Sequence, residues 1–514
     1  VEIQLSDRLR HPYVMKYSMS AFPACAGCAG GHNAARFVAL LALAVAAVLP
    51  AIHAAPPLQV VSVNNTLYYN SSPNEVIPRT IEYTLSGATV NLQEKLPDGT
   101  IAVTNGITKV RVLLPVGYES GANYPVVYLL HGFNSNYQGW SNMNHVNDVN
   151  DTLETNTRAA NIVFVMPDGG GLEGGFYSNW YESPDGLMHD WETYHIEQLI
   201  PWVEANFKVQ KTRAGRAISG LSMGGFGCTT YASRHPDLFA GVFSISGAVN
   251  NIPITALGLV PEDLESLNPM LSIDPSAIWG PYLQQEVLYR GRNPMNLIDN
   301  LRPLTVWVRT GLGWPGGTAP GDGDKLTEAL EAGVGVLNEA YDINLGLQNV
   351  PHTYTVNPQG THTGYHFLQS FKLALPVMQQ TFAANVPVRP AGFNYRSIEP
   401  SFSIFDWQFS ATRDVIEFLY LSDVSRDGLK LKGSGTVAVT TPPVYNPGSH
   451  HWVLAPGQAG IDVWPNWPKA DDEGRLHFNV KLGNSHTLQQ YTAAQRLVEA
   501  AALDYWKDAN VQIW

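Results

Sequence analysis

Cysteine is almost missing from this chain: there are three in 514 residues. Cys25 and Cys28 form a C-x-x-C with no second pair to complete a metal site, and Cys228 stands alone far downstream. A disulfide framework is excluded, and neither metal nor organic cofactor is expected. Charge is sparse too. Only 15% of residues are charged, with 44 acidic against 31 basic and no long run of either sign, for a net charge of −13. Phosphate recognition needs a basic patch, so nucleic acid is not an expected partner. No segment recurs at a period of 20 to 50 residues, which removes solenoids and propellers. What is present is 45% hydrophobic and 11% aromatic, the composition of a globular protein with a large core. At this length a catalytic domain with an appendage is the natural expectation.

The apolar run Phe37 to Leu49 is too short for a span of about 20 residues. It follows Arg36 and ends at Ile52-His53-Ala54-Ala55, which reads as a signal-peptide core with cleavage after Ala54. Residues 1–54 are therefore expected to be a leader, with a start at Met15 or Met19 accounting for the extra length, and the mature protein to be secreted or extracytoplasmic. Cys228 would then be the only mature cysteine, a small buried thiol.

The chain is organised around Ile218 to Gly227. The G-x-S-x-G pattern of Gly220, Ser222 and Gly224 turns a strand into a helix within about two residues, a nucleophile elbow, and only small flanking residues let the backbone pass so closely. Upstream, Tyr124 to Leu130 is an apolar run ending in His131-Gly132-Phe133, where an oxyanion loop belongs; downstream come acids and then a Gly-x-His loop. Strands are expected at Thr108 to Leu114, Val126 to Leu130, Asn161 to Val165, Ala217 to Leu221, Gly241 to Ser246, Thr305 to Thr310 and Thr353 to Val356. Helices are expected at Trp191 to Phe207, Gly224 to Arg234, Lys325 to Tyr341 and Tyr365 to Ala383. This alternation implies a mostly parallel central sheet covered on both faces, and with the elbow, the upstream His-Gly loop and the order Ser, acid, His it leads to the expectation of an α/β-hydrolase fold. Before it, residues 56–106 read as an antiparallel hairpin region with a turn at Leu96-Pro97-Asp98-Gly99.

The catalytic domain is expected over residues 55–384, with an insertion at 250–300 that is either a cap over the site or a structural excursion. A Pro- and Gly-bearing linker at 385–392 leads to a small β-rich accessory domain at 393–514, with a helix over Tyr491 to Tyr505. Trp452, Trp464 and Trp467 are either core residues or a face for glycan or cell-envelope contact.

A serine needs a base, and the base an orienting acid. His362, in Gly360-Thr361-His362 between a strand and a helix, is the expected base; His352 and His366 are structural or pocket-wall candidates, and His131 belongs to the oxyanion loop. Spacing alone leaves the acid open between Glu331 and the loop pair Asp322 and Asp324.

These segments resemble the esterase D group of α/β-hydrolases, and most closely its mycolyltransferase (antigen 85-like) branch. The shared pieces are Leu129 to Phe133 with Gln138-Gly139-Trp140, Val165-Met166-Pro167, Phe176 to Trp180, Trp191-Glu192-Thr193, the elbow, Ile278 to Pro281, Asn293-Pro294-Met295 and Gly360 to His362, within about Tyr124 to Gln380. The resemblance implies Glu331 as the acid, because that branch has a helical glutamate followed seven residues later by Asn and ten later by an aromatic, as in Asn338 and Tyr341. It also implies an oxyanion hole from the backbone N–H groups of Phe133 and Met223. Two positions depart from the branch: His131 replaces an Asp and Gly364 replaces a Trp, both in its acyl-acceptor pocket. The expected function is a secreted serine esterase acting on a small-molecule or polymeric ester. The rivals are an acyltransferase with the same triad and a non-catalytic cell-envelope binding protein.

Overall fold

Eleven strands precede residue 360 in the computed structural model, which describes residues 55–183, 185–252, 274–314, 319, 321–498 and 506–514. The expected leader and the middle of the 250–300 insertion lie outside the described residues. The strands are β1 (Gln59–Asn64), β2 (Leu67–Tyr69), β3 (Ser72–Ile77), β4 (Thr80–Lys95), β5 (Ile101–Leu113), β6 (Val126–Leu130), β7 (Val163–Pro167), β8 (Arg216–Leu221), β9 (Gly241–Ile245), β10 (Thr305–Gly311) and β11 (Thr353–Asn357). Nine of them form one sheet in the order β1-β4-β5-β7-β6-β8-β9-β10-β11. From β7 to β11 all neighbours are parallel, and β1, β4 and β5 add an antiparallel edge. The β4–β5 hairpin closes at the expected turn, where Gly99 takes a φ of 88° and donates to the Leu96 carbonyl at 2.9 Å.

Strands β6 to β9 are buried on both faces, as a sheet covered by crossover helices must be. Val126, Tyr128 and Leu130 pack into one cluster with residues of the helices Ile200–Asn206, Met223–Arg234 and Lys325–Leu347; Val127 and Leu129 pack into another with Phe371 and Met378 of the helix Gly364–Ala383. The period of two along β6 thus divides the molecule into its outer layers. With the strand exchange at β6 and β7 and the serine turn after β8, this is the α/β-hydrolase fold.

The remaining strands are β12 (Phe393–Ser397), β13 (Ser401–Ile404), β14 (Trp407–Thr412), β15 (Leu419–Ser425), β16 (Gly428–Gly433), β17 (Thr436–Thr440), β18 (Val453–Leu454), β19 (Asp462–Trp464), β20 (His477–Lys481) and β21 (Lys507–Ile513). They form two five-stranded antiparallel sheets, β12-β15-β16-β21-β18 and β13-β14-β17-β20-β19, around a shared core that includes Trp407, Phe409, Leu431, Val439 and Phe478. Residues 55–514 nevertheless make one compact unit. Ile398 and Phe418 pack on Val287, Leu288 and Leu297, Arg396 and Asn300 exchange hydrogen bonds of 2.9 and 3.0 Å, and Glu399 pairs with Arg234 at 2.9 Å.

The expected helix over Tyr491 to Tyr505 is shorter among the described residues, where only Ala493–Arg496 is helical and 499–505 lie outside. Beyond that range lies the inner strand β21, where Ala509, Val511 and Ile513 alternate into the sandwich core.

Candidate active site

Ser222 occupies the tight turn between β8 and the helix Met223–Arg234, with φ 54° and ψ −119°. A non-glycine residue at positive φ stores strain that the surroundings must enforce. Here three glycines permit the close approach that does so. A Cβ at Gly220 would lie 2.0 Å from the Gly224 carbonyl oxygen, one at Gly224 2.2 Å from that of Leu130, and one at Gly225 2.5 Å from the Gly247 Cα. The result projects Ser222 at the C-terminal end of the sheet, at the start of a 12-residue helix.

His362 lies in the loop between β11 and the helix Gly364–Ala383, its N–H bonded to the Thr327 carbonyl at 3.1 Å. Its Nε2 is 2.8 Å from Ser222 Oγ, and its Nδ1 is 2.6 Å from Glu331 Oε2. Glu331, on the helix Lys325–Leu347, is 1% exposed. Its other oxygen accepts from Ser246 Oγ at 2.6 Å, from Thr310 Oγ1 at 3.3 Å and from the Gly311 N–H. Burial pushes this carboxyl up, but the hydrogen bond and charge of His362, with Ser246 and the Gly311 N–H, outweigh it and hold the group below its ordinary value. Glu331 is thus an anion fixed on both oxygens.

Ser246 is the polar residue that sequence reading missed. It follows directly on β9, at φ 47°, at the same end of the sheet as Ser222 and Glu331. A serine at the C-terminal end of a parallel strand is the signal that marks it. Asp324, the rival acid, is the N-cap of the helix Lys325–Leu347 and accepts from the Leu326 N–H at 3.0 Å. Asp322 lies 3.5 Å from Thr361 Oγ1 and 3.8 Å from His366 Nε2. His352 pairs with Asp342 at 2.8 Å, away from the serine.

Gly132 brings the oxyanion loop onto the elbow, since a Cβ there would be 2.9 Å from Leu221 Cδ1 and 3.2 Å from Ser222 Cβ. Among the described residues the N–H groups of Phe133 and Met223 have no hydrogen-bond acceptor. Expected on the acceptor-pocket wall, His131 is instead 1% exposed: its Nδ1 meets the Gly132 carbonyl at 2.9 Å and its Nε2 accepts from the Gly169 N–H at 2.8 Å. The imidazole fills a cradle behind the loop, which the side chain's two nitrogens satisfy internally. Gly364 remains at the mouth, where an added Cβ would meet only Met143 Cγ at 3.4 Å and Asn144 Oδ1 at 3.7 Å.

An aromatic core cluster packs against the elbow helix. Phe176 meets Phe226 of the elbow helix and Trp279 edge to face at 5.8 and 5.6 Å, so the described end of the 250–300 insertion packs on the elbow helix. Glu173, Asp185 and His189 lie within metal-binding reach of one another. Each His189 nitrogen is already taken, by Glu173 at 3.1 Å and Asp185 at 3.0 Å, and Glu173 also accepts from Trp191 Nε1 at 3.2 Å. These groups satisfy each other without an ion.

The chain is similar to several known proteins. An esterase of Mycobacterium tuberculosis strain H37Rv is 32% identical over 255 residues, 49% of this chain and 52% of its own. A diacylglycerol acyltransferase/mycolyltransferase of Mycobacterium leprae is 28% identical over 283 residues, 52% of this chain and 77% of its own. A ferulic acid esterase of known structure superposes with a TM-score of 0.38 at 23% identity, over 58% of this chain and 99% of its own. The chain thus spans about half the length of the esterase it matches. Residues 101–381 match the Esterase (putative esterase) family model, from the start of β5 into the last turn of the helix after His362. On that match, over more than half of its length, the chain belongs to the Esterase family.

Proposed function

We propose that this protein is a secreted serine esterase working through an acyl-enzyme on Ser222. Ser222 Oγ attacks the ester carbonyl while His362 Nε2 takes its proton, and the same imidazole returns it to the departing alcohol. Glu331 fixes the tautomer that leaves Nε2 free as an acceptor and stabilises the imidazolium that forms. The N–H groups of Phe133 and Met223 hold the oxyanion of each tetrahedral intermediate, where loss of one donor costs about 3 kcal/mol. Water, deprotonated by His362, then releases the acid.

The supporting observation is the hydrogen-bonded line from Glu331 through His362 to Ser222, at 2.6 and 2.8 Å. A fluorophosphonate probe tests it: the wild type and His366→Ala should label, and Ser222→Ala and His362→Ala should not. Full labelling of Ser222→Ala would refute the assignment. Profiling against p-nitrophenyl esters of increasing chain length would then define the acyl group. The second reading, acyl transfer to a sugar or lipid hydroxyl, is favoured by the 28% identity to a mycolyltransferase. Secretion rests on the leader pattern of residues 1–54, and N-terminal sequencing of exported protein should begin at Ala55. Residues 393–514 act as an accessory domain in this reading.

A further inference from the structure

The accessory sheets carry a row of indoles. Trp452 and Trp514 exchange both backbone hydrogen bonds, at 3.2 and 3.0 Å, so they are directly opposed and share one sheet face. On its other side, His451 and Val453 donate to the carbonyls of Pro468 and Asn466, and His450 bridges Lys469. That register sets Trp467 opposite Trp452, with ring centroids 4.0 Å apart at 63°. Three tryptophans therefore stand across three neighbouring chain segments, the ends of β18 and β21 and the bend at Trp467, over about 10 Å at the usual strand spacing. They are 43%, 45% and 58% exposed in the order Trp467, Trp452, Trp514, while the alternate residue Val453 is fully buried. His450 extends the row by stacking on Trp467 at 17°. Trp464, also exposed, lies on β19 outside this row. Trp514 was not anticipated from the sequence.

We propose that this face binds a neutral, β-1,4-linked polysaccharide, whose flat pyranose rings present C–H faces to the indoles. Indole rings left half in water are a costly surface unless something covers them, and their surroundings say what. Leu454 and Gln512 form the next pair on the same face, and Asn510 follows Gln512 along β21, so neutral amides that suit hydroxyl groups continue the row. Farther along, the charges cancel in pairs, Lys432 with Asp508 at 3.5 Å and Lys430 with Asp423 at 2.7 Å. A neutral hydroxyl-rich ligand matches that distribution. An anionic lipid surface would need a basic cluster, and a second protein chain a broader apolar field.

The test is electrophoresis of the full chain in native gels cast with hydroxyethylcellulose or xylan, with depletion by insoluble cellulose and chitin alongside. The wild type and the off-patch control Trp314→Ala should be retarded by at least one of these glycans. Trp452→Ala and Trp514→Ala should each weaken retention about tenfold or more with unchanged thermal unfolding midpoints. Absence of retardation by all four glycans overturns the proposal, as does retention that survives the double variant. Dimerisation that Trp452→Ala abolishes, or capture on phosphatidylglycerol vesicles in place of glycan, assigns the face to another occupant and overturns it equally. None of these readouts depends on turnover at Ser222.

Discussion

Both oxygens of Glu331 are committed, one to His362 and the other to Ser246, Thr310 and the Gly311 N–H. Replacing an orienting carboxylate in such a line costs several powers of ten in turnover, so Glu331→Gln should lower kcat about a thousandfold or more. Asp324→Asn keeps a good N-cap and touches nothing in the line, so its kcat should stay within about tenfold of wild type. Steady-state kinetics on a short-chain p-nitrophenyl ester decides, and the reverse ranking would move the acid to Asp324. Ser246→Ala removes one charge-assisted donor from the carboxylate and should cost about tenfold in kcat with little change in KM. Glu331, Asn338 and Tyr341 could be singled out in the sequence by spacing matched to a resemblance. Ser246 could be placed at the end of its strand but not paired with Glu331, because that contact depends on two parallel strands ending side by side, and spacing along one chain does not encode that.

Glycines act at the level of the element, and the same substitution has opposite consequences in two helices. In Gly224→Ala the new methyl would sit 2.2 Å from the Leu130 carbonyl oxygen, a backbone atom that no rotamer change can move. Loss of soluble, active protein is expected. Gly333, exposed in the helix Lys325–Leu347, has nothing within 4 Å of an added Cβ, so Gly333→Ala should raise stability by about 1 kcal/mol in thermal or urea unfolding. The ion cluster that ties the elbow helix to β12 responds to acid. Arg234 pairs with Glu192 at 2.7 Å and with Glu399 at 2.9 Å. Burial raises both carboxyls, but Arg234, with His235 beside Glu192 and Arg292 beside Glu399, holds both below their ordinary values. Groups depressed in the folded state stabilise it fully above the unfolded value of about 4.3, and the gain is lost as pH falls through the folded values. The unfolding midpoint contributed by this cluster should therefore be level from pH 8 to 6 and drop below about pH 5. Glu399→Gln should flatten that acid slope at a small cost near neutrality, since Glu399 is partly exposed, whereas Arg234→Met leaves Glu192 buried with His235 as its one remaining hydrogen-bond partner among the described residues and should cost about 3 kcal/mol or more.

Over the whole molecule, the elements that could be read in advance were those whose periodicity matches their burial. β6 to β10 are short, mostly apolar runs between turns, and the serine, the acid and the histidine follow β8, β10 and β11 in that order. Of the helix expected over Tyr491 to Tyr505, the described residues show the turn Ala493–Arg496, and the strand β21 beyond it is not legible in advance because its alternating residues gain their meaning only from pairing with β16, far away in sequence. The same limit bears on hydrolysis against transfer. An acyl-enzyme partitions between water at about 55 M and a bound alcohol, so transfer prevails only where the site concentrates the acceptor. In the branch this chain resembles, an Asp and a Trp help to do that. Here the Asp is replaced by His131, whose ring is enclosed behind the oxyanion loop, and the Trp by Gly364, which puts no side chain beside Met143 and Asn144. Water should therefore win. At millimolar trehalose or glycerol and a fixed short-chain ester, mass spectrometry should find free acid in excess of acyl-glycoside or acyl-glycerol. Gly364→Trp restores a stacking wall where a Cβ makes ordinary contacts, and should raise the ratio of transfer to hydrolysis by about threefold or more. Mostly transacylated product from the wild type would show that another part of the mouth, with Asn144 the nearest polar side chain to Gly364, already holds the acceptor, and would make the protein an acyltransferase.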